Sequence, residues 1–404
     1  MASIRPFHGV RPRSELAASV VSPPYDVLSE PEARAIVARD PLSFLKVTRP
    51  EVNLPPGADA HGADAYAAAR DALVRMMEDG TLVQDAGPCF YLYGQRMGDH
   101  AQVGLMALCS VDEYDRGLIK KHEHTRPDKE QDRVDHITGV NAQTGLVFLA
   151  YRQDPAIARL IDAARAADPL YRVTTDDAVV HTLWRIDDPA QVAALERAFA
   201  TLPALYVADG HHRSAAASRV SAARGGQGEA AWFLAGLFPD DQLQVLAYNR
   251  LVNDLHGHTP EALKAAIAQH FTLTPADDPA PPRRGSFTMY LGGAWWRMDP
   301  RPGVVDPSDP VASLDVAVLQ DRVLGPLLGI HDPRRDARIS FVGGIRGHGF
   351  LSDAVDRGEA AVAFALFPTG LAQLFDVADA GQVMPPKSTW FEPKLRGGVL
   401  IHLL

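Results

Sequence analysis

Cysteine is almost absent from this chain: Cys89 and Cys109 are the only two in 404 residues. Two thiols build neither a disulfide framework nor a thiolate zinc site, so a reducing, cytoplasmic setting is expected. Long apolar runs are missing too. No stretch is long and uninterrupted enough to span a bilayer, and the opening MASIRPFHGVRPRSE lacks the apolar core of a signal peptide, so a soluble protein without a membrane partner is expected. Two phosphate-binding signatures are also lacking. There is no GxxxxGK[ST] loop, and the glycine-rich VGGIRGHG at 342–349 has the wrong spacing for GxGxxG and reads as a turn. Positive charge is in deficit, with 40 Lys and Arg against 50 Asp and Glu and a net charge of −10. That balance disfavours duplex nucleic acid as the main partner, yet it leaves room for a local basic pocket around a small anion.

What remains is an ordinary globular composition, 46% hydrophobic and 22% charged, on a chain too long for one ordinary core. In SPPYDVLS the consecutive prolines force extended backbone. Ser29 then reads as an N-cap with Glu32 three residues on, a capping box that opens a helix over PEARAIVARD. ADAYAAARDALVRMMEDG is an amphipathic helix ended by Gly80. CFYLYGQRM and QVGLMALCSV alternate like paired strands around a GDH turn, and FTMYLGGAWWRM reads as a hairpin with Gly-Gly at its tip. LDVAVLQDRVLGPLLGI reads as a core helix. Strands and helices mix without strict alternation, so the expected class is α+β. PADDPAPPRRGS, 275–286, is the best linker. It separates an N-terminal and central region, 1–274, carrying the active site, from a C-terminal α/β subdomain, 287–404, packed on it.

Chemistry-bearing residues concentrate in four places: SPPYD at 22–26, KKHEHTRPDKEQDR at 120–133, ADGHHR at 208–213 and MPPKSTWFEPK at 384–394. In the second, Lys121, Glu123 and Thr125 alternate with His122, His124 and Arg126, which is strand-like spacing. Pro127 breaks it and Asp128 is placed to cap a following helix. In the third, a strand ends at Asp209, Gly210 allows close approach of backbone to a ligand, and His211, His212 and Arg213 open a helix. Helix N-termini loaded with cationic side chains suit phosphate. Asp209 can hold Mg²⁺ or accept a hydroxyl proton. Lys387, Ser388 and Thr389 in the fourth stretch are candidate anion ligands that echo a P-loop without being one.

SPPYDVLS, TRPE at 48–51, KHEHTRPDKEQDR, YVADGHHRSAAA, LDVAVLQ and MPPKSTWFEPKL together resemble the domain-of-unknown-function 1015 family over nearly the whole chain. DGHHR, 209–213, also resembles the phosphate-binding turn of free-serine kinases built on the ParB/sulfiredoxin-like fold. That second resemblance implies such a nucleotide-binding core carrying large insertions. It further implies that Asp209 acts near the transferred phosphoryl group and that Gly210, His211, His212 and Arg213 cradle nucleotide phosphates, with a separate acid activating the acceptor hydroxyl. Asp26 and Glu30 are candidates for that acid by position, and Glu123 competes with both.

The leading expectation is a serine-kinase-like phosphotransferase that uses ATP or ADP with Mg²⁺ on a small hydroxylated metabolite, free serine or a related hydroxy acid first. Lys121, His122 and Arg126 would add to the phosphate site, Glu123 and His211 to its acid–base chemistry, and a homodimer is compatible with it. One alternative is a metal-dependent hydrolase or lyase using His122, His124, Glu123 and the Asp209, His211 and His212 group. Another is a non-enzymatic ParB-like nucleotide switch or DNA-binding protein, against which stand the net charge and the lack of a recognisable helix-turn-helix.

Overall fold

Buried alternation in residues 90–110 builds the centre of the main sheet. Phe90–Met97 and His100–Ser110 pair antiparallel down to Met97 opposite His100, as the turn between them requires. The computed structural model describes residues 2–404. Around this hairpin runs a nine-stranded mixed sheet in the order Ile119–Lys120, Leu205–Asp209, Val147–Tyr151, Trp232–Pro239, His100–Ser110, Phe90–Met97, Val180–Ile186, Tyr171–Thr174, with Ile4–Arg5 also on His100–Ser110. Two pairs are parallel: Ile119–Lys120 with Leu205–Asp209, and Val147–Tyr151 with Trp232–Pro239. Leu92, Leu105, Leu149, Val207 and Leu237 are fully or almost fully buried with Ile157, Ile161, Leu195 and Phe199 of the helices Pro155–Ala164 and Pro189–Phe199. Burying a side chain of this kind contributes ~1.5–3 kcal/mol. Ile137, Ala216 and Val220 join the helices Pro127–Val140 and His211–Ala223.

Local signals hold where they are self-contained. The helix Glu30–Arg39 follows Ser29, whose backbone N–H donates to the Glu32 carboxylate at 2.8 Å. The helix Ala63–Glu78 stops before Gly80, at φ +77°. Phe287–Leu291 and Ala294–Pro300 form the hairpin with Gly292 and Gly293 at its tip.

Four expectations are corrected. The division of the chain into compact units does not fall at 275–286. One unit comprises residues 1–243 and 393–404, the other Gln244–Glu392. The proline-rich stretch instead joins Phe271–Pro275 to Phe287–Leu291, two strands of the second unit's six-stranded sheet, so its polar composition marks a loop within that sheet. Residues 393–404 belong to the first unit, where His402–Leu403 pairs with Ala142–Gln143. The strand expected through 120–126 is only Ile119–Lys120, because Leu205 and Tyr206 are the only residues opposite it and charged groups occupy both faces beyond. The helix after it begins at Pro127 with Arg126, not Asp128, as N-cap. LDVAVLQDRVLGPLLGI is helical over Asp315–Leu319 and then widens into a π-turn, Gln320–Leu324.

Candidate functional site

Leu205–Asp209 is buried through Ala208, as expected of an apolar run deep in a sheet, and its register against Val147–Tyr151 shifts between Val207 and Asp209. That irregularity skips Ala208 and leaves Asp209, opposite Phe148, as the last residue of the strand. Gly210 follows at φ +93°, a left-handed conformation, and its carbonyl accepts from the N–H groups of Arg213 and Ser214 as His211–Ala223 begins. No side chain caps this helix. A Cβ on Gly210 would lie 2.8 Å from Arg213 Nε. Gly210→Ala is therefore expected to cost about 1–3 kcal/mol in backbone strain and to displace the guanidinium. A urea midpoint equal to that of the unmodified protein would contradict this.

The Asp209 carboxylate is half-buried and surrounded by donors. Oδ1 accepts the Gly210 N–H at 2.8 Å, and the Lys394 ammonium lies 3.4 Å from Oδ2. Burial pushes this carboxyl upward, but Lys394, Arg213 and His211 outweigh it and hold it well below the ordinary carboxylate range. Asp209 is thus a permanently charged group and a weak base. Its immediate partner in the structure is the Lys394 ammonium.

His211, the first helical residue, is buried. His122 comes from the segment after Ile119–Lys120 and is 2% exposed, and the two rings meet edge to face at 4.5 Å. Burial lowers His122 to about 4 and His211 well below the usual imidazole range, the neighbouring ring adding to the effect on His211. Both are neutral at pH 7. His122 Nδ1 and His211 Nε2 are buried without a hydrogen-bond partner. His122, Glu123 and His211 each bring one donor atom within 4.8 Å of the others, the one such metal-capable group among the described residues. His212 accepts the Arg126 N–H at Nε2, 3.0 Å, so the charged motif and the DGHHR turn lie side by side.

Two further segments reach this turn. Ser22 bridges to Gly397, and the Tyr25 ring lies 4.2 Å beneath the Arg133 guanidinium. Tyr25, Arg133, His136, Gln143, Thr144 and Arg213 line a cavity of about 30 Å³, and Arg213 Nε is buried without a partner. Burial raises the Tyr25 phenol, with the Arg133 and Arg213 charges opposing. Arg49 fixes this loop by donating to the Tyr25 carbonyl at 2.9 Å while its other edge pairs with buried Glu51. Gln95 donates to the Lys394 carbonyl at 2.9 Å and pins the returning segment.

Not every expected residue points inward. The Arg126 guanidinium is exposed and pairs with Asp128 at 2.8 Å, and the Lys121 ammonium stacks 4.3 Å over Tyr114. Asp26 is exposed in the turn beside Tyr25. Glu30 is engaged with Arg34 at 2.8 Å. Lys387, Ser388 and Thr389 belong to the second unit, where Lys387 stacks 5.4 Å over Tyr248 and Ser388 donates to the Pro385 carbonyl at 2.6 Å. The residue missed was Lys394. It sits in the same MPPKSTWFEPKLRGG motif, where nothing local distinguishes it from Lys387.

The family model described as "Protein of unknown function (DUF1015)" matches residues 4–317. The chain belongs to the DUF1015 family. No curated protein matches the sequence. Among solved structures, a free serine kinase in complex with AMP is 10% identical, with 71% of this chain and 86% of that chain covered at a TM-score of 0.37. SbnI with C-terminal truncation from Staphylococcus aureus is 12% identical, with 74% and 87% covered at a TM-score of 0.40. Likenesses at this level carry no argument about the site, whose reading rests on its own geometry.

Proposed function

We propose that this DUF1015 member transfers a phosphoryl group from ATP or ADP to a small hydroxylated metabolite, with free serine or a related hydroxy acid as the first acceptor to test. One observation carries the reading. An uncapped helix N-terminus at a left-handed glycine is flanked by Lys394 and by Arg213, whose buried Nε has no partner. Free helix N–H groups with an ammonium and a guanidinium supply the fixed positive charge that a transferring phosphoryl group needs, and phosphoryl transfer asks for little else beyond positioning. The DGHHR resemblance, with its implied ParB/sulfiredoxin-like core, points the same way.

In this reading Gly210, His211, His212 and Arg213 hold the nucleotide phosphates, and Mg²⁺ arrives with the nucleotide. Asp209, too acidic to take a proton at neutral pH, fixes Lys394 against the phosphoryl group. The acid that receives the acceptor's proton is Glu123 or Asp26. Lys121, Arg126, Lys387 and Ser388 have no assigned role in it, since their side chains are engaged or exposed as described, and none is assigned to Thr389.

The test is to incubate the protein with serine and ATP or ADP, with and without Mg²⁺, and follow phosphoserine by ³¹P NMR. Nucleotide-dependent phosphoserine formation supports the proposal. Absence of any phosphorylated product across a panel of serine, threonine, glycerate and homoserine would contradict it. Arg213→Lys should weaken nucleotide binding on the order of tenfold although charge is kept, because an ammonium cannot grip two phosphate oxygens as a planar fork does. Calorimetric titration with ADP reads this directly, and an unchanged Kd places Arg213 outside the phosphate site.

A further inference from the structure

In the reading above His122 has no role and His211 serves through its backbone at the helix start, so the two orphaned ring nitrogens, His122 Nδ1 and His211 Nε2, are unused by it. We infer that His122, Glu123 and His211 form a binding site for a divalent transition-metal ion of the Zn²⁺ or Mn²⁺ kind, separate from any Mg²⁺ carried on a nucleotide. The inference does not depend on the phosphoryl-transfer proposal, because it rests on three side chains and a cation alone.

Three observations support it. Both imidazoles are buried, and each holds one ring nitrogen that meets no partner, His122 Nδ1 and His211 Nε2. Buried polar atoms are rarely left so, and an orphan in a native fold calls for an ion, a water or a ligand. The donor atoms of His122, Glu123 and His211 lie within 4.8 Å of one another. Three donors at about 2.1 Å from one ion sit roughly 3.4 Å apart in a tetrahedron, so the set must tighten around an ion to bind it. Finally, the two rings come from separate segments and meet edge to face at 4.5 Å, so the fold itself brings both imidazoles to one place.

The donor set selects the class of ion. Two imidazoles and one carboxylate suit first-row transition ions, whereas Mg²⁺ demands oxygen ligands and keeps its waters. The helix end at His211 opposes a cation, but this is a small effect beside three inner-sphere bonds. The Lys394 ammonium lies 3.4 Å from Asp209, so that cation already has an anion. With Glu123 committed to the ion, Asp26 is left as the acid for the acceptor's proton.

The experiment uses tag-free full-length protein, stripped with chelator and titrated calorimetrically with Zn²⁺, Mn²⁺ or Mg²⁺ alone. One saturable site is expected, tighter for Zn²⁺ than for Mn²⁺ and at least about a hundredfold weaker for Mg²⁺. Glu123→Gln and His211→Ala should each weaken Zn²⁺ by at least about a hundredfold, the upper end of what loss of even an outer-shell partner costs. His212→Ala and Asp209→Asn should stay within about threefold. Co²⁺ substitution should give d–d absorption in the unmodified protein and in His212→Ala, absent in Glu123→Gln, with thermal melts confirming that each variant is folded. Absence of a saturable site, or Zn²⁺ affinity untouched by Glu123→Gln and His211→Ala, overturns the inference and assigns any binding to surface histidines. Neither result bears on whether nucleotide binds at the turn.

Discussion

Asp209→Asn is expected to lower nucleotide-dependent phosphorylation by on the order of a thousandfold, about 4 kcal/mol of transition-state stabilisation, while the protein stays folded. The substitution removes charge but almost no volume, and the Gly210 N–H can still donate to the amide oxygen. What is lost is the anion that Lys394 faces at 3.4 Å and that Arg213 and His211 surround. Without it the ammonium no longer has a fixed position against the phosphoryl group, and misplacement of a catalytic charge by even about 1 Å costs on the order of a hundredfold. Because Asp209 is held well below the carboxylate range, the pH profile of the unmodified protein should show no limb belonging to it above pH 5. Phosphoserine formation within a few-fold of the unmodified rate, in a variant with an unchanged melt, would contradict the role given to Asp209.

The second large effect is on stability against acid. Three histidines remote from the candidate metal group are buried neutral: burial lowers His136 and His402 to about 4 and His181 to about 3, with Arg396 adding to the effect on His181. In the unfolded chain each titrates near 6.5. The unfolded state therefore binds more protons than the folded state between those values, and stability falls as pH drops from about 6.5 toward 4. Each histidine contributes on the order of 2 kcal/mol to the loss by pH 5, together about 5 kcal/mol. That is comparable with the whole stability of many domains. The structure shows why these rings cannot simply charge. Burial and the Arg133 charge keep His136 neutral against the pull of the Val47 carbonyl 2.9 Å from its Nε2, and His181 is wedged between the Tyr93 hydroxyl at 2.7 Å and Arg396. Urea unfolding at pH 7 and pH 5 measures the effect. Equal unfolding free energies at the two pH values would contradict the burial of neutral imidazoles.

Much of this was legible in local sequence. The capping box at Ser29 and Glu32, the hairpin through residues 90–110 and the Gly292-Gly293 turn each involve residues a few positions apart, where propensity and hydrogen bonding act without help from the rest of the fold. The ADGHHR turn was legible for the same reason, since a strand end, a left-handed glycine and a helix start are contiguous. His122 was expected to add to the phosphate site of this turn, and its ring meets that of His211. Lys394 was not legible. The chain leaves the first unit after Leu243 and re-enters it at Pro393, and nothing local marks which lysine of MPPKSTWFEPKLRGG returns to Asp209. The boundary at 275–286 failed for a related reason: proline and charge identify a loop but not whether its flanking strands share a sheet. The alternation in residues 121–126 misled because it was alternation of polar groups only, with no apolar face to fix a strand.

The most direct test of the central claim is a thermal scan of the purified protein with millimolar ATP, ADP, CTP and GTP, with and without Mg²⁺, alongside Arg213→Lys and Lys394→Met. A phosphate site at the DGHHR turn requires that ATP or ADP raise the melting temperature of the unmodified protein, and that the rise shrink in both variants. A melting temperature indifferent to every nucleotide would contradict the assignment of this turn to phosphate.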